Sequence, residues 1–107
     1  MLHGYGLSAK SWLPYVEDYE KDYQVYLIDL TGHEKSEAFK TPLDIKSVGE
    51  DLNALLDYLK LNSLKAIGFS FGGNILYQLA LNHPSRLKSM ITIGQWSYGL
   101  LMTFLNI

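Results

Sequence analysis

The sequence predicts an α/β fold, a partial parallel sheet with flanking helices, and three observations carry that expectation. The runs "YQVYLIDL", "LKAIGF" and "LKSMITI" read as strands, and "YQVYLIDL" is β-rich and mostly apolar. That run suits a strand covered on both faces. Segments with helical spacing separate them, and helix–strand order repeated along a chain is the pattern of a parallel sheet with crossover helices.

The elements follow in order. After a turn at Gly4-Tyr5-Gly6, "SAKSWLPYVEDYEKD" can form one helix with Pro14 near its start. Proline is tolerated in a first turn and not deep inside a helix. "YQVYLIDL" is the first expected strand, and "TGHEKSEAFKTPLD" is a polar loop. Ile45, Val48, Leu52, Leu55, Leu56 and Leu59 then share one helical face. Asp44 or Ser47 can cap that helix, and Ser47 with Glu50 has the spacing of a capping box. "LKAIGF" is the second strand. Ile75, Leu76, Leu79 and Ala80 mark the next helix, which "NHP" stops because Pro84 disfavours helix at His83. "LKSMITI" is the third strand, and the apolar "LLMTFLNI" closes the chain.

Composition bounds what this chain does. Its 107 residues suffice for one small domain, and a net charge of −2 without any basic run argues against a nucleic-acid surface. The absence of cysteine removes disulfides and thiolate metal sites, and neither a metal nor an organic cofactor is implied. The opening "MLHGYG" lacks the basic start and apolar stretch of a signal peptide, so the cytoplasm is the expected compartment. The uncharged "SMITIGQWSYGLLMTFLNI" is interrupted by Gly, Gln, Ser and Asn, so no membrane span is expected.

Two glycine-rich sites compete for a function. Gly4-Tyr5-Gly6-Leu7-Ser8-Ala9 fits the dinucleotide pattern G-x-G-x-x-A, with Asp29 20 residues beyond Ala9 at the end of the next expected strand. Against it, only Met1 and Leu2 stand where that pattern needs a strand, and Pro14 falls inside the helix it needs. It also leaves "GFSFGGN" unexplained. That second stretch, Gly68 to Asn74, is G-x-S-x-G between an expected strand and an expected helix. In such a sharp turn the strained serine projects its hydroxyl from the top of a sheet. Gly68 and Gly72 let the chain pass close to itself. A serine at a helix start also has a plainer reading, as an N-cap.

The blocks "LHGYGLSAKSW", "YQVYLIDLTGHEKSE" and "AIGFSFGGNILYQLALNHPSRLKSMITI" together resemble the α/β-hydrolase fold superfamily, in the form with a separate cap domain. The resemblance covers nearly the whole chain, in the family's order and spacing. It implies a truncated α/β-hydrolase fold, with residues 1–94 as partial core and 95–107 as the start of a cap-like segment. It implies that Ser70 is the nucleophile and that the backbone amides of Tyr5 and Phe71 form the oxyanion hole. His3 and Gly4 then shape that loop, with Gly68 and Gly72 shaping the serine turn. Asp29, His33 and His83 are structural under it, and Trp12 and Trp96 are packing residues. The substrate class it implies is a small ester or another acyl compound. One departure is Glu34, which stands where the family usually has Gly after the loop histidine, so this loop is expected to be distorted.

A serine nucleophile needs a base. The family order is Ser, then Asp or Glu, then His. After Ser70 the sequence has no Asp or Glu, and "GQW" stands where some members carry the acid. The one later histidine, His83, lies at the far end of the following helix. At ~1.5 Å per residue that is about 20 Å away, far beyond hydrogen-bond reach. The triad is thus expected to be incomplete and the isolated chain inactive. The family's strand before "HG" lies between "YQVYLID" and "LKAIGF", so its loss is expected to split the sheet or force a new pairing. Self-association through sheet edges and the apolar tail is expected. The alternatives are a non-catalytic ligand-binding or receptor-type protein on the same scaffold, a functionless gene fragment, and the dinucleotide reading.

Overall fold

A computed structural model describes residues 1–31 and 44–94 in full, and 102–106 as backbone. The chain enters through the Gly4 turn. A four-residue 3-10 turn, Ala9–Trp12, then leads into α1, Leu13–Glu20. The single helix expected over "SAKSWLPYVEDYEKD" is therefore divided. Pro14 sits in the first turn of α1, where its missing N–H costs nothing, and the residues before it take the tighter turn. No residue of α1 is buried.

Helix α2, Ile45–Tyr58, buries Val48, Leu52 and Leu56, with Ile45 and Leu55 partly covered, so the expected face packs inward. Asp44 is its cap. Its carboxylate accepts the Lys46 amide at 3.1 Å and the Ser47 hydroxyl at 2.7 Å. The Ser47 hydroxyl is the main cause of a carboxyl pKa below the ordinary value. The C-terminus closes with Lys60 at φ 59°. The Leu61 amide reaches back to the Leu56 carbonyl and the Lys60 amide to Asp57, the two reversed bonds of a Schellman ending.

Strand β1, Leu64–Phe69, runs into the Ser70 corner and then α3, Phe71–Asn82. A 3-10 turn at Pro84–Arg86 follows, then β2, Leu87–Ile93. Both strands and α3 occupy the residues expected. β1 and β2 pair in parallel, Ala66 beside Met90 and Gly68 beside Thr92. β3, Met102–Asn106, adds to β2 in antiparallel sense, so the sheet order is β1-β2-β3. The apolar tail thus supplies a strand of this sheet. Leu52 and Leu56 of α2 share one core with Ile75, Leu76 and Leu79 of α3, and Leu87 and Met90 join it from β2.

The expected strand "YQVYLIDL" does not form a ladder. Its one bridge is between Ile28 and Leu2, and Leu2 also bridges Gly68. Leu2 donates its amide to Ile67 at 2.8 Å and accepts from Phe69 at 3.0 Å. On its other side Met1 accepts the Ile28 amide at 3.4 Å, and the Met1 amine donates to Tyr26 at 2.8 Å. Met1 and Leu2 are thus a two-residue strand between β1 and residues 26–28. This first expected strand is absent because a strand requires a neighbour along its length, and residues 23–25 have no strand beside them among the described residues. Burial pushes the Met1 amine down to about 6.

Candidate functional site

Ser70 occupies the corner between β1 and α3 with φ 51° and ψ −112°, a backbone state that L-residues avoid. Its amide is tied to the Ile93 carbonyl at 2.7 Å. Its carbonyl accepts the Gly73 and Asn74 amides at 2.9 and 3.2 Å, starting α3. The hydroxyl makes no capping bond to the helix, although Ser70 stands at the N-cap position. The plainer reading of this serine as a helix cap therefore lacks its defining hydrogen bond.

The corner is possible because two glycines have no side chain. A Cβ on Gly68 would lie 2.6 Å from the Gly72 carbonyl oxygen. A Cβ on Gly72 would lie 2.5 Å from the Leu2 carbonyl oxygen and 2.8 Å from that of His3. The first contact folds the corner onto itself. The second presses the "LHGYG" segment against the start of α3. These contacts bring together the two glycine-rich stretches that the sequence separates.

His3 is fully buried and both ring nitrogens are engaged. Nε2 accepts the Leu30 amide at 3.0 Å, so the proton of the neutral ring lies on Nδ1, which faces the Gly4 carbonyl at 2.8 Å. The ring ties the turn to residue 30. Beyond it, the Leu7 amide bonds the Gly4 carbonyl at 3.1 Å, and Gly6 takes φ 77° at the third place of that turn. The exposed Tyr5 ring meets the buried Phe71 ring edge-on at 5.8 Å.

The other charged candidates lie elsewhere. The Asp29 carboxylate accepts the Ala9 amide at 2.8 Å and so fastens the 3-10 turn. That bond employs the acid the dinucleotide reading needs, and α1 does not begin until Leu13, away from the glycines. His83 ends α3 and faces both carboxylate oxygens of Glu50 at 3.0 Å. Arg86 pairs with Asp57 and donates to the Asn53 side chain and the Leu61 carbonyl, each at 2.9 Å. These groups join α2 to the turn before β2 and do not approach Ser70. His33, Glu34 and Trp96 lie outside the described residues. Among the described residues no cluster of His, Asp and Glu is gathered to hold a metal ion.

Two neighbours of the corner were not singled out by motif. The Phe69 ring, 40% exposed, packs 3.1 Å from where a Gly4 Cβ would be and 3.5 Å from where one on Gly94 would be. Thr92, beside Gly68 in the adjacent strand, is fully buried, and its hydroxyl has no partner among the described residues. G-x-S-x-G leaves its variable positions silent, so only contact reveals Phe69 as an aromatic wall. A cavity of about 450 Å³ lies instead beside Leu64–Ile67, before β1 reaches the corner.

The family model described as alpha/beta hydrolase fold matches residues 1–106. The chain is 34% identical over 95 residues to the pimeloyl-(acyl-carrier protein) methyl ester esterase of Aeromonas hydrophila subsp. hydrophila, covering 88% of this chain and 36% of that protein. Among solved structures it resembles Est816, an N-acyl homoserine lactone degrading enzyme, at TM-score 0.82 and 30% identity, over 88% of this chain and 36% of the other. A marine microorganism esterase matches at TM-score 0.82 and 30% identity, over 86% and 35%. The chain spans about a third of the length of the curated relatives it matches.

Proposed function

The chain belongs to the α/β-hydrolase fold family, and from that premise we propose that it carries the nucleophile half of a serine hydrolase site for a small ester or other acyl substrate. The single observation that carries the reading is Ser70, held at φ 51° on a strand-to-helix corner with its hydroxyl uncommitted to the helix. A helix cap does not require that strain, whereas presenting an oxygen above a sheet does.

In this reading Ser70 Oγ attacks the substrate carbonyl carbon, a base takes the hydroxyl proton, and the carbonyl oxygen becomes an oxyanion. The Tyr5 and Phe71 amides receive that charge, each such donor contributing about 3–4 kcal/mol. Collapse expels the alcohol with the proton returned from the base, and water then hydrolyses the acyl-serine by the same steps. Residues 71–107 hold no acid, and their one histidine is occupied by Glu50. In the family's chain order the acid and the base follow the nucleophile, so this reading takes both from residues beyond these 107. Without the histidine of such a triad turnover falls by about 10⁶.

The test is a chimera in which residues 1–94 of this chain replace the matching part of the Aeromonas esterase. Hydrolysis of p-nitrophenyl acetate by the chimera, lost on Ser70→Ala, is the expected result. A folded chimera whose turnover is zero, or is unaffected by Ser70→Ala, would overturn the reading.

A further inference from the structure

Tyr5 and Phe71, whose amides the hydrolase reading assigns to the oxyanion, lie far apart in sequence, yet their rings meet. The ring centroids are 5.8 Å apart and the planes stand at 86°. Phe71 is 6% exposed and belongs to the core with Ile75 and Leu76 of α3, whereas Tyr5 is 63% exposed. A side chain left that open gains little from burial, so core packing does not account for its seat on Phe71. Tyr5 stands second in the turn that the Leu7 amide closes on the Gly4 carbonyl at 3.1 Å, with Gly6 third at φ 77°. The Gly4 carbonyl and the Tyr5 amide belong to one planar trans peptide, so they point in opposite directions. His3 Nδ1 at 2.8 Å and the Leu7 amide grip the carbonyl end of that peptide. Bonds at the oxygen alone leave the peptide plane able to rock about it. The Tyr5 ring adds a point of attachment beyond the N–H, and that point is Phe71.

We propose that the Tyr5 side chain is a positioning group: its ring, seated edge-on against Phe71, holds the two oxyanion-hole amides at one separation. The inference rests on the serine-hydrolase reading of Ser70. Each amide nitrogen is bonded to the Cα that carries the ring, so a contact between the rings constrains the distance between the amides. An edge-to-face pair is attractive only over a range of angles, because the positive edge of one ring meets the negative face of the other. It therefore sets orientation as well as distance, which an aliphatic side chain of similar bulk does not. Donors held in place before the reaction need no rearrangement when the oxyanion forms. A donor that drifts from that place stabilises the transition state less and alters the ground-state complex little, since the charge on the carbonyl oxygen develops only as the serine attacks. The tyrosine hydroxyl has no part in this role.

The test has two arms. In the full chain, Tyr5→Leu is expected to lower the NMR order parameter of the amide at position 5, and Tyr5→Phe to leave it unchanged. An order parameter that Tyr5→Leu does not lower would overturn the proposal. In the chimera described above, Tyr5→Ala should lower kcat for p-nitrophenyl acetate about tenfold, as a small misplacement of a reacting group implies. Acylation and deacylation both pass through the oxyanion, so KM should hold. Binding of a trifluoromethyl ketone, which forms an oxyanion on the serine, should weaken by the same factor. Loosening of the fold alone lowers the Tm and the active fraction and does not change that affinity in the folded enzyme. Tyr5→Phe should recover the rate lost in Tyr5→Ala, and Tyr5→Leu should not. In a Phe71→Leu background Tyr5→Ala should cause no further loss, because the ring contact is already gone. Full turnover in Tyr5→Leu, with Ser70→Ala still inactive, would overturn the proposal and leave the hydrolase reading standing. A raised KM with kcat kept would make Tyr5 a substrate contact and overturn it equally. Turnover that Ser70→Ala does not affect would remove the hydrolase reading and the proposal together.

Discussion

Ser70 concentrates the conflict between stability and use at the residue scale. Its φ of 51° costs of order 1–3 kcal/mol in an L-residue. Glycine adopts that angle freely and loses more chain entropy on folding, about 0.5–1 kcal/mol. Ser70→Gly is therefore expected to stabilise the chain by about 1 kcal/mol, a Tm rise of roughly 4 °C or more. Ser70→Ala keeps the strain and should show no such rise. Parallel melting curves of the two variants check this, and equal Tm values would mean that the corner is unstrained. The corner itself was readable from "GFSFGGN", because Gly-Ser-Gly spacing between an apolar run and a helical run has few other uses. Phe69 was not readable, since its place against Gly4 depends on a loop that lies far away in sequence.

At the scale of elements, the two ends of α2 make separate expectations. Lys60 holds φ 59° at the place where helices favour glycine. Lys60→Gly is expected to raise stability by about 0.5–1 kcal/mol, measured by urea unfolding with unchanged slope. At the other end, the Asp44 carboxylate is held below its ordinary pKa, first by the Ser47 hydroxyl. A carboxyl lowered in the folded state stabilises it above the unfolded pKa and loses that effect as pH falls through the folded value. Asp44→Asn retains a capping oxygen without a titration. Its stability should fall less steeply than that of the parent below about pH 4, and parallel slopes would exclude the cap as the cause. The helix and its face were legible in the 3.6-residue spacing. The choice of Asp44 over the Ser47–Glu50 box was not, because both have capping chemistry and only the extended backbone at Asp44 selects one.

For the whole molecule, the weak seam is the junction of residues 1–2 with β1 on one side and residues 26–28 on the other. The Met1 amine there is lowered from 8.0 to about 6 by burial. Between those values the unfolded chain binds more protons than the folded one, so stability rises as pH increases from 6 to 8. Two pKa units correspond to about 2–3 kcal/mol over that window. Acetylation of Met1 should abolish the rise, and a pH-independent Tm in the unmodified chain would show that the amine is solvated. The same seam explains the fate of "YQVYLIDL". Its composition is that of a buried parallel strand, but among the described residues only Met1 and Leu2 stand beside it as a strand. Leu2→Ala should cost about 2–5 kcal/mol, as for other buried leucines, and should speed hydrogen exchange at Ile28 before the β1–β2 ladder.

The sequence by itself determined the α/β class, the β1–Ser70–α3 unit, the two parallel strands of the sheet and the inward face of α2. These depend on spacing within short segments, where hydrophobic period, glycine freedom and proline geometry act locally. Tertiary structure alone decided which capping residue acts, that His3 is clamped between Gly4 and Leu30, and that the C-terminal tail pairs with β2. It also decided that a segment of strand composition stands without a ladder. Each of these depends on a partner distant in the chain, and local pattern does not encode whether that partner is in reach. The serine corner belongs to the first kind, and the cavity beside β1 belongs to the second.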